Sequence, residues 1–226
     1  SHSKFGFRLV FGWFWFFVAG SIGMVSLWEY YCLVRSQFHI SSGIGMIAGV
    51  LIILFTGFGC CERVSLAILP VACIGILVLE ILRRQSTKTS DAMRNLGGTL
   101  SGVVYVIVPW CLMIYLRYQN WGFLVLLTIF MCTWATDVMA YITGMQWGKT
   151  PFFPFVSPKK TLEGAAGGLL GSLLAASSIS FALAIPPIPL LLIGLICGTL
   201  GQLGDLGESI LKREAHKKNS GALIPG

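Results

Sequence analysis

Apolar residues in this chain come in long unbroken runs, not in the alternating or stripe patterns of half-buried strands and surface helices. The runs extend from about 9 to 34, 43 to 59, 64 to 82, 97 to 116, 121 to 143, 164 to 185 and 188 to 206, with polar connections between them. Several approach or exceed the roughly 20 apolar residues that carry a helix across a hydrocarbon core. Only helices or closed barrels satisfy their own backbone groups in lipid, and strand-like alternation is absent. The pattern therefore predicts an all-α polytopic transmembrane bundle of about seven spans, forming a single integral membrane domain over residues 1–226. The longest connections are RRQSTKTSDAMRN (83 to 95) and GMQWGKTPFFPFVSPKKTLEG (144 to 164). The weakest boundary is the proline-broken region around 184 to 190.

Composition agrees: 55% of the 226 residues are hydrophobic and only 11% are charged, against about 25% charged in a soluble domain. The seven cysteines sit mostly inside apolar runs without CxxC spacing, so they read as core filler, not as a zinc site or a disulfide framework. A net charge of +7 could suggest nucleic acid, but the basic residues lie in the connections, where membrane topology explains them and no nucleic acid is needed. Lys4, Arg8, Arg63 and Arg117 fall on the N-terminal side of a seven-span arrangement; the other twelve of the sixteen fall on the opposite side. The positive-inside rule then makes the twelve-charge side cytoplasmic and leaves the N-terminus outside. The first run reads as a span, not a signal peptide. Without an initiator methionine, and ending at ALIPG, the sequence is expected to be a piece of a longer product.

Glycine spacings mark helix contacts. Gly164 and Gly168, and Gly167 and Gly171, repeat at i, i+4, while Gly198, Gly201 and Gly204 repeat at i, i+3, spacings that allow close backbone approach in lipid.

Carboxylates at membrane depth are costly and need a partner, water or a cation. Glu29 and Glu80 have arginines nearby and read as interfacial. Asp137 stands in TWATDVMAYITGMQWGK, where Asp137, Tyr141 and Gly144 form one i, i+4, i+7 stripe leading toward the basic connection. Asp205 opens GDLGESILKR; if the last span stays helical to about Arg213, then Asp205, Ser209 and Lys212 form a second such stripe, with Glu208 and Arg213 beside it. One carboxylate, one hydroxyl and two cations suit a magnesium-bound polyphosphate, because Mg2+ takes one or two carboxylates plus phosphate oxygens and water. A snorkelling, salt-bridged helix end fits the same spacing.

SPKKTLEG adds Ser157, Lys159, Lys160 and Thr161 ahead of a helix N-terminus, which favours anions. GMQWGKT resembles a P-loop but has three residues between its glycines instead of four and leaves a membrane span instead of a strand; the P-loop is rejected, although Lys149 can still meet phosphate. Three histidines, two of them far from the charged clusters, make a Ser-His-Asp arrangement a poor fit. The chemistry best served is phosphoryl or nucleotidyl transfer, in which metal ions and cations neutralise developing charge.

SILKREAHKKNSGALIPG, residues 209 to 226, resembles the signature of the phosphatidate cytidylyltransferases, or CDP-diacylglycerol synthases. Ser209, Lys212, Arg213, Lys218, Pro225 and Gly226 fall on the pattern, and TDVMAYITGMQWGK and SPKKTLEGAAGG look like two further blocks. The resemblance implies transfer of CMP from CTP to phosphatidic acid, giving CDP-diacylglycerol and pyrophosphate. It implies a required divalent cation, Mg2+, with a second cation left open, and a homodimer. Residue by residue, it implies Asp205 and Asp137 as metal-binding carboxylates, and Lys212 and Arg213 as stabilisers of phosphate charge. Ser157, Lys159, Lys160, Thr161, Ser209, Lys149 and Lys218 are then expected around the substrates. On this reading residues 1–120 are N-terminal spans, and 121–226 form the catalytic half with the cytoplasmic connection 144–164. The setting is a bacterial inner membrane with the site facing the cytoplasm.

Two departures stand out. Asn219 replaces the usual aspartate of the pattern, and the chain stops before the His-Gly-Gly and Asp-Arg-x-Asp portion, without which it is expected to be inactive. Two other classes use similar residues. A different Mg2+-dependent membrane phosphotransferase would favour Asp-Asp pairs, which are absent here, and a cation-coupled transporter would open both aspartates to both sides of the membrane.

Overall fold

The computed structural model describes residues 2–58 and 62–215. Every apolar run becomes a helix, and Gly12–Val34, Ala92–Tyr118, Gly122–Trp147, Leu162–Leu183 and Pro187–Glu214 are each long and apolar enough to cross a membrane. The chain is thus an all-α integral membrane protein. It divides into two compact units, the first ending at Asn120 and the second starting at Trp121.

The first unit contains α1 (His2–Val34), α2 (Ser42–Gly57), α3 (Glu62–Thr87), α4 (Ala92–Gly102) and α5 (Val108–Tyr118). A π-helical turn, Val103–Ile107, joins α4 to α5. Pro109 has no N–H to offer the Tyr105 carbonyl four residues earlier, and the helix widens where that donor is missing. The core gathers Leu27 and Tyr31 of α1, Ile52 of α2, and Val103, Ile107 and Ile114 of the α4–α5 rod. Tyr31 donates to the Thr99 carbonyl at 2.7 Å, which satisfies its hydroxyl inside the core.

Glu80 is buried, not simply interfacial as its neighbouring arginines suggest. It does meet Arg83 at 3.4 Å, but its Oε1 also accepts from Asn95 Nδ2 at 2.7 Å and its Oε2 from the Asp91 backbone N–H at 3.2 Å. Asn95 in turn donates to Ser41 Oγ at 2.9 Å and accepts from the Ser41 N–H at 2.6 Å and from Thr99 Oγ1 at 3.1 Å. This closed network ties the start of α2 to α3 and α4.

The second unit contains α6 (Gly122–Trp147), β1 (Pro151–Phe153), β2 (Ser157–Thr161), α7 (Leu162–Leu183) and α8 (Pro187–Glu214). The polar connection between α6 and α7 is therefore largely a β-hairpin, which an all-α expectation lacks. Its strands are antiparallel, with Pro151 opposite Thr161 and Phe153 opposite Ser157, so β2 carries extra residues as a bulge. Strands this short give no readable alternation, and Pro151 and Pro158 hide the pattern further. The Thr161 hydroxyl then caps α7, accepting from the Gly164 N–H at 3.2 Å.

The break expected near 184 to 190 is present: Ala184 is left-handed at φ 50°, and Pro187 starts α8, where its missing donor costs nothing. Of the pairs within this unit, α6 and α7 meet most extensively. Glycine makes that approach possible: a Cβ on Gly164 would stand 2.9 Å from the Ala140 carbonyl oxygen, and one on Gly168 would stand 3.0 Å from that of Thr136. Gly198 packs on α7 beside Leu169, whereas Gly201 and Gly204 face open space. Ser172 donates across to the Gly194 carbonyl and accepts at its own carbonyl from Cys132 Sγ at 3.5 Å, joining all three helices.

Candidate functional site

The second unit forms an open-sided cavity of about 460 Å3. Helix α6 lines it with Asp137, Ala140, Tyr141, Gly144 and Met145, so the stripe from Asp137 to Gly144 faces one space. The hairpin supplies Phe152, Ser157, Lys159, Lys160 and Thr161, α7 supplies Gly164 and Ala165, and α8 supplies Gln202 and Asp205. Asp137 lies ten residues before the end of α6, roughly 15 Å along its axis.

The charges here are few and close. Lys160 on β2 forms an ion pair with Asp205 on α8, which draws the hairpin down over the helices. Asp137 faces both the Asp205 carboxylate and the Lys160 ammonium. Among the described residues it makes no hydrogen bond or ion pair; the Thr136 hydroxyl beside it donates to the Cys132 carbonyl at 2.8 Å instead. Two like charges therefore share one cation, an arrangement that favours a further positive ligand.

Not every candidate residue reaches this space. Lys212 points to Glu208 at 2.8 Å, one helical turn back. Lys149, Ser209, Lys212 and Arg213 do not line the cavity. The stripe from Asp205 to Lys212 does exist, because α8 stays helical to Glu214, but it is roughly 10 Å long and runs past the cavity. Lys218 and Asn219 lie outside the described residues.

Two residues enter that the sequence did not single out. Gln202 donates from Nε2 to the Ala165 carbonyl at 3.0 Å and to the Gly198 carbonyl at 2.6 Å. With both acceptors on the amide nitrogen, its orientation is fixed and Oε1 is left for other partners. Its signal was the i, i+3 spacing to Asp205. Glu163, in the first turn of α7, accepts from the Lys149 N–H at 3.1 Å and the Thr150 N–H at 3.2 Å. With the 2.9 Å bond from the Leu162 N–H to the Thr150 carbonyl, it closes the base of the hairpin.

Mg2+ normally takes one or two carboxylates together with phosphate oxygens and water. Asp137 and Asp205 around one cavity fit that requirement, while no group of three or more His, Cys, Asp or Glu side chains able to cage a metal occurs among the described residues. The donor set suits a cation that arrives with its own oxygen ligands.

Comparison with known proteins follows the same lines. Residues 4–226 match the model of the cytidylyltransferase family. The phosphatidate cytidylyltransferase of Bacillus subtilis (strain 168) is 47% identical over 95 residues, covering 41% of this chain and 35% of the relative. That of Synechocystis sp. is 46% identical over 107 residues, covering 46% of this chain and 36% of the relative. The phosphatidate cytidylyltransferase of Chlamydia pneumoniae is 29% identical over 232 residues, covering 92% of this chain and 73% of the relative. The chain thus spans about a third of the length of the first two relatives in matched sequence. A match along nearly the whole chain, with the cavity's carboxylates and lysines inside it, shows that the chain belongs to the cytidylyltransferase family.

Proposed function

We propose that the second unit holds the reaction site of a phosphatidate cytidylyltransferase, which transfers CMP from CTP to phosphatidic acid and releases pyrophosphate. One observation carries this reading: Asp137, Asp205 and Lys160 meet in a cavity that Ser157, Lys159 and Thr161 also line. The names of the relatives support the substrates.

In this reaction a phosphate oxygen of phosphatidic acid forms a bond to the α-phosphorus of CTP, and the bond from that phosphorus to the β-phosphate oxygen breaks. Lys159 and Lys160 hold the triphosphate's charge, and the Ser157 hydroxyl donates to a phosphate oxygen. Thr161 already accepts from the Gly164 N–H, so its O–H hydrogen is left for substrate. The Lys160–Asp205 pair opens as CTP arrives, giving the lysine to phosphate and freeing the carboxylate. A divalent cation held by Asp137 and Asp205 would neutralise charge on the phosphate oxygens. Lys149, Ser209, Lys212 and Arg213 form an outer set that meets substrate or the approaching lipid headgroup, a role that falls to Lys218 on its sequence alone.

The finer topology belongs to the same proposal. With α2 and α3 also crossing, seven spans place the N-terminus outside and twelve of sixteen basic residues in the cytoplasm, where CTP is found. The protein is a homodimer of the bacterial inner membrane, and residues 121–226 are its catalytic half.

The test incubates the full-length protein with labelled CTP, Mg2+ and phosphatidic acid and looks for lipid-linked CMP and pyrophosphate. Failure to form lipid-linked CMP would end the proposal, as would an Asp205→Asn variant with undiminished turnover.

A further inference from the structure

The hairpin that walls the cavity turns an apolar tip away from it. Phe155 is 92% exposed and Phe153 41% exposed, on either side of Pro154. The turn is closed by the Val156 N–H donating to the Phe153 carbonyl at 3.1 Å. Phe153 packs edge-on against Phe152, with ring centroids 4.5 Å apart, and Phe152 faces the cavity. One exposed phenylalanine is ordinary on any protein. Two at one stiffened turn, between two membrane-crossing helices, call for a partner.

The depth of the hairpin says which partner. It rises from the joined ends of α6 and α7, since the Leu162 N–H bonds the Thr150 carbonyl. It then folds back along the helices: Lys160 pairs with Asp205, and Ser157, Lys159 and Lys160 share a cavity with Asp137, which is itself three turns inside the end of α6. The hairpin therefore lies level with the last turns of α6. The last turn of α6 exposes Trp147 outside the cavity, a residue type that gathers where hydrocarbon meets headgroups. Between Lys149 and Lys160 the chain reads KTPFFPFVSPKK, with three lysines and no acidic residue. Of these, Lys149 lies outside the cavity at the base of the hairpin, and aromatic rings with a lysine beside them match an anionic lipid surface, rings at the acyl boundary and the ammonium group among the phosphates.

We propose that Phe153 and Phe155 anchor the hairpin in the headgroup–acyl boundary of the bilayer. The hairpin is then an interfacial element with two faces: its lysines and hydroxyls wall the cavity while its aromatic tip rests in lipid. The cavity's polar wall is thereby held at headgroup height.

The test places a photoreactive benzoylphenylalanine at position 155 of the full-length protein, reconstituted in vesicles of phosphatidylethanolamine and phosphatidylglycerol. Phe181 of α7, also 92% exposed, serves as the comparison position within a span. On irradiation, lipid adducts at 155 are expected in yields comparable to those at 181. Adducts to protein alone, or no lipid adduct at 155 while 181 is labelled, would overturn the proposal, the first outcome pointing to a protein partner instead. Hydroxyl-radical footprinting of the unmodified protein in the same vesicles needs no substitution. Phe155 is expected to be oxidised at least about five-fold more slowly than in a free peptide of residues 150–161, because an interfacial ring is shielded from water. Oxidation at the peptide's rate would refute the anchor whatever the variant does.

Discussion

Both units carry a carboxylate on an apolar helix, and they treat it in opposite ways. In the first unit Glu80 is surrounded: Asn95, the Asp91 N–H and Arg83 all meet it, and Asn95 passes the connection on to Ser41 and Thr99. In the second unit Asp137 has no such partner among the described residues, and Asp205 has only Lys160. The first is a closed polar network, whose value is to fix the meeting of three helices. The second is held partly unsatisfied around a cavity. A carboxylate on an apolar helix is therefore not in itself a sign of chemistry; what separates the two cases is whether the protein completes its hydrogen bonding.

Substitutions can break this comparison. The largest effect is expected for Asp205→Asn, which keeps the shape but removes a charge facing the cavity. CMP transfer should fall about 100-fold or more, or about 3 kcal/mol in the barrier, with unchanged resistance to unfolding in mixed micelles. Next comes Glu80→Ala, expected to destabilise the protein by about 2 kcal/mol because Asn95 and the Asp91 N–H lose their acceptor. Its transfer rate per folded molecule should stay near normal; a 100-fold loss at full stability would show that Glu80 belongs to the chemistry and would dissolve the contrast. Asp137→Asn should cost about ten-fold in transfer and raise the Mg2+ concentration needed for half-maximal rate. A Mg2+ requirement identical to the parent's would remove Asp137 from the cation site. The smallest change is expected for Glu163→Gln, which weakens the clasp at the hairpin base. A roughly three-fold rise in KM for CTP with little change in kcat is expected, since the hairpin's lysines would be less well placed.

Much of this was legible in the residues. Every apolar run becomes a helix because the length of a run and the cost of unpaired backbone in lipid leave no alternative. The stripe from Asp137 to Gly144 was readable for a related reason: helical spacing is local, and all three residues do face one cavity. The stripe from Asp205 to Lys212 was equally local, yet helix geometry spreads it over roughly 10 Å, and only its first member lines that cavity. What spacing could not supply was the joining of distant segments. Lys160 meets Asp205 across forty-five positions, and Glu80 meets Asn95 through a turn whose direction no pattern reports. The hairpin leaves no pattern in the sequence because its strands are too short, and too interrupted by proline, to alternate visibly. The π turn likewise follows from Pro109, but a proline inside an apolar run gives equal warning of a kink, a break or a widened turn.

GMQWGKT has too few residues between its glycines for a phosphate loop, and Glu163 gives a second reason why it does not serve as one. The amides of Lys149 and Thr150 already hold an anion, one that the chain brings with it. A nucleotide phosphate entering this turn would have to displace a carboxylate tethered beside it. The turn is in this sense self-occupied as an anion receptor, and the same contact makes it a latch at the base of the hairpin that carries Lys159 and Lys160.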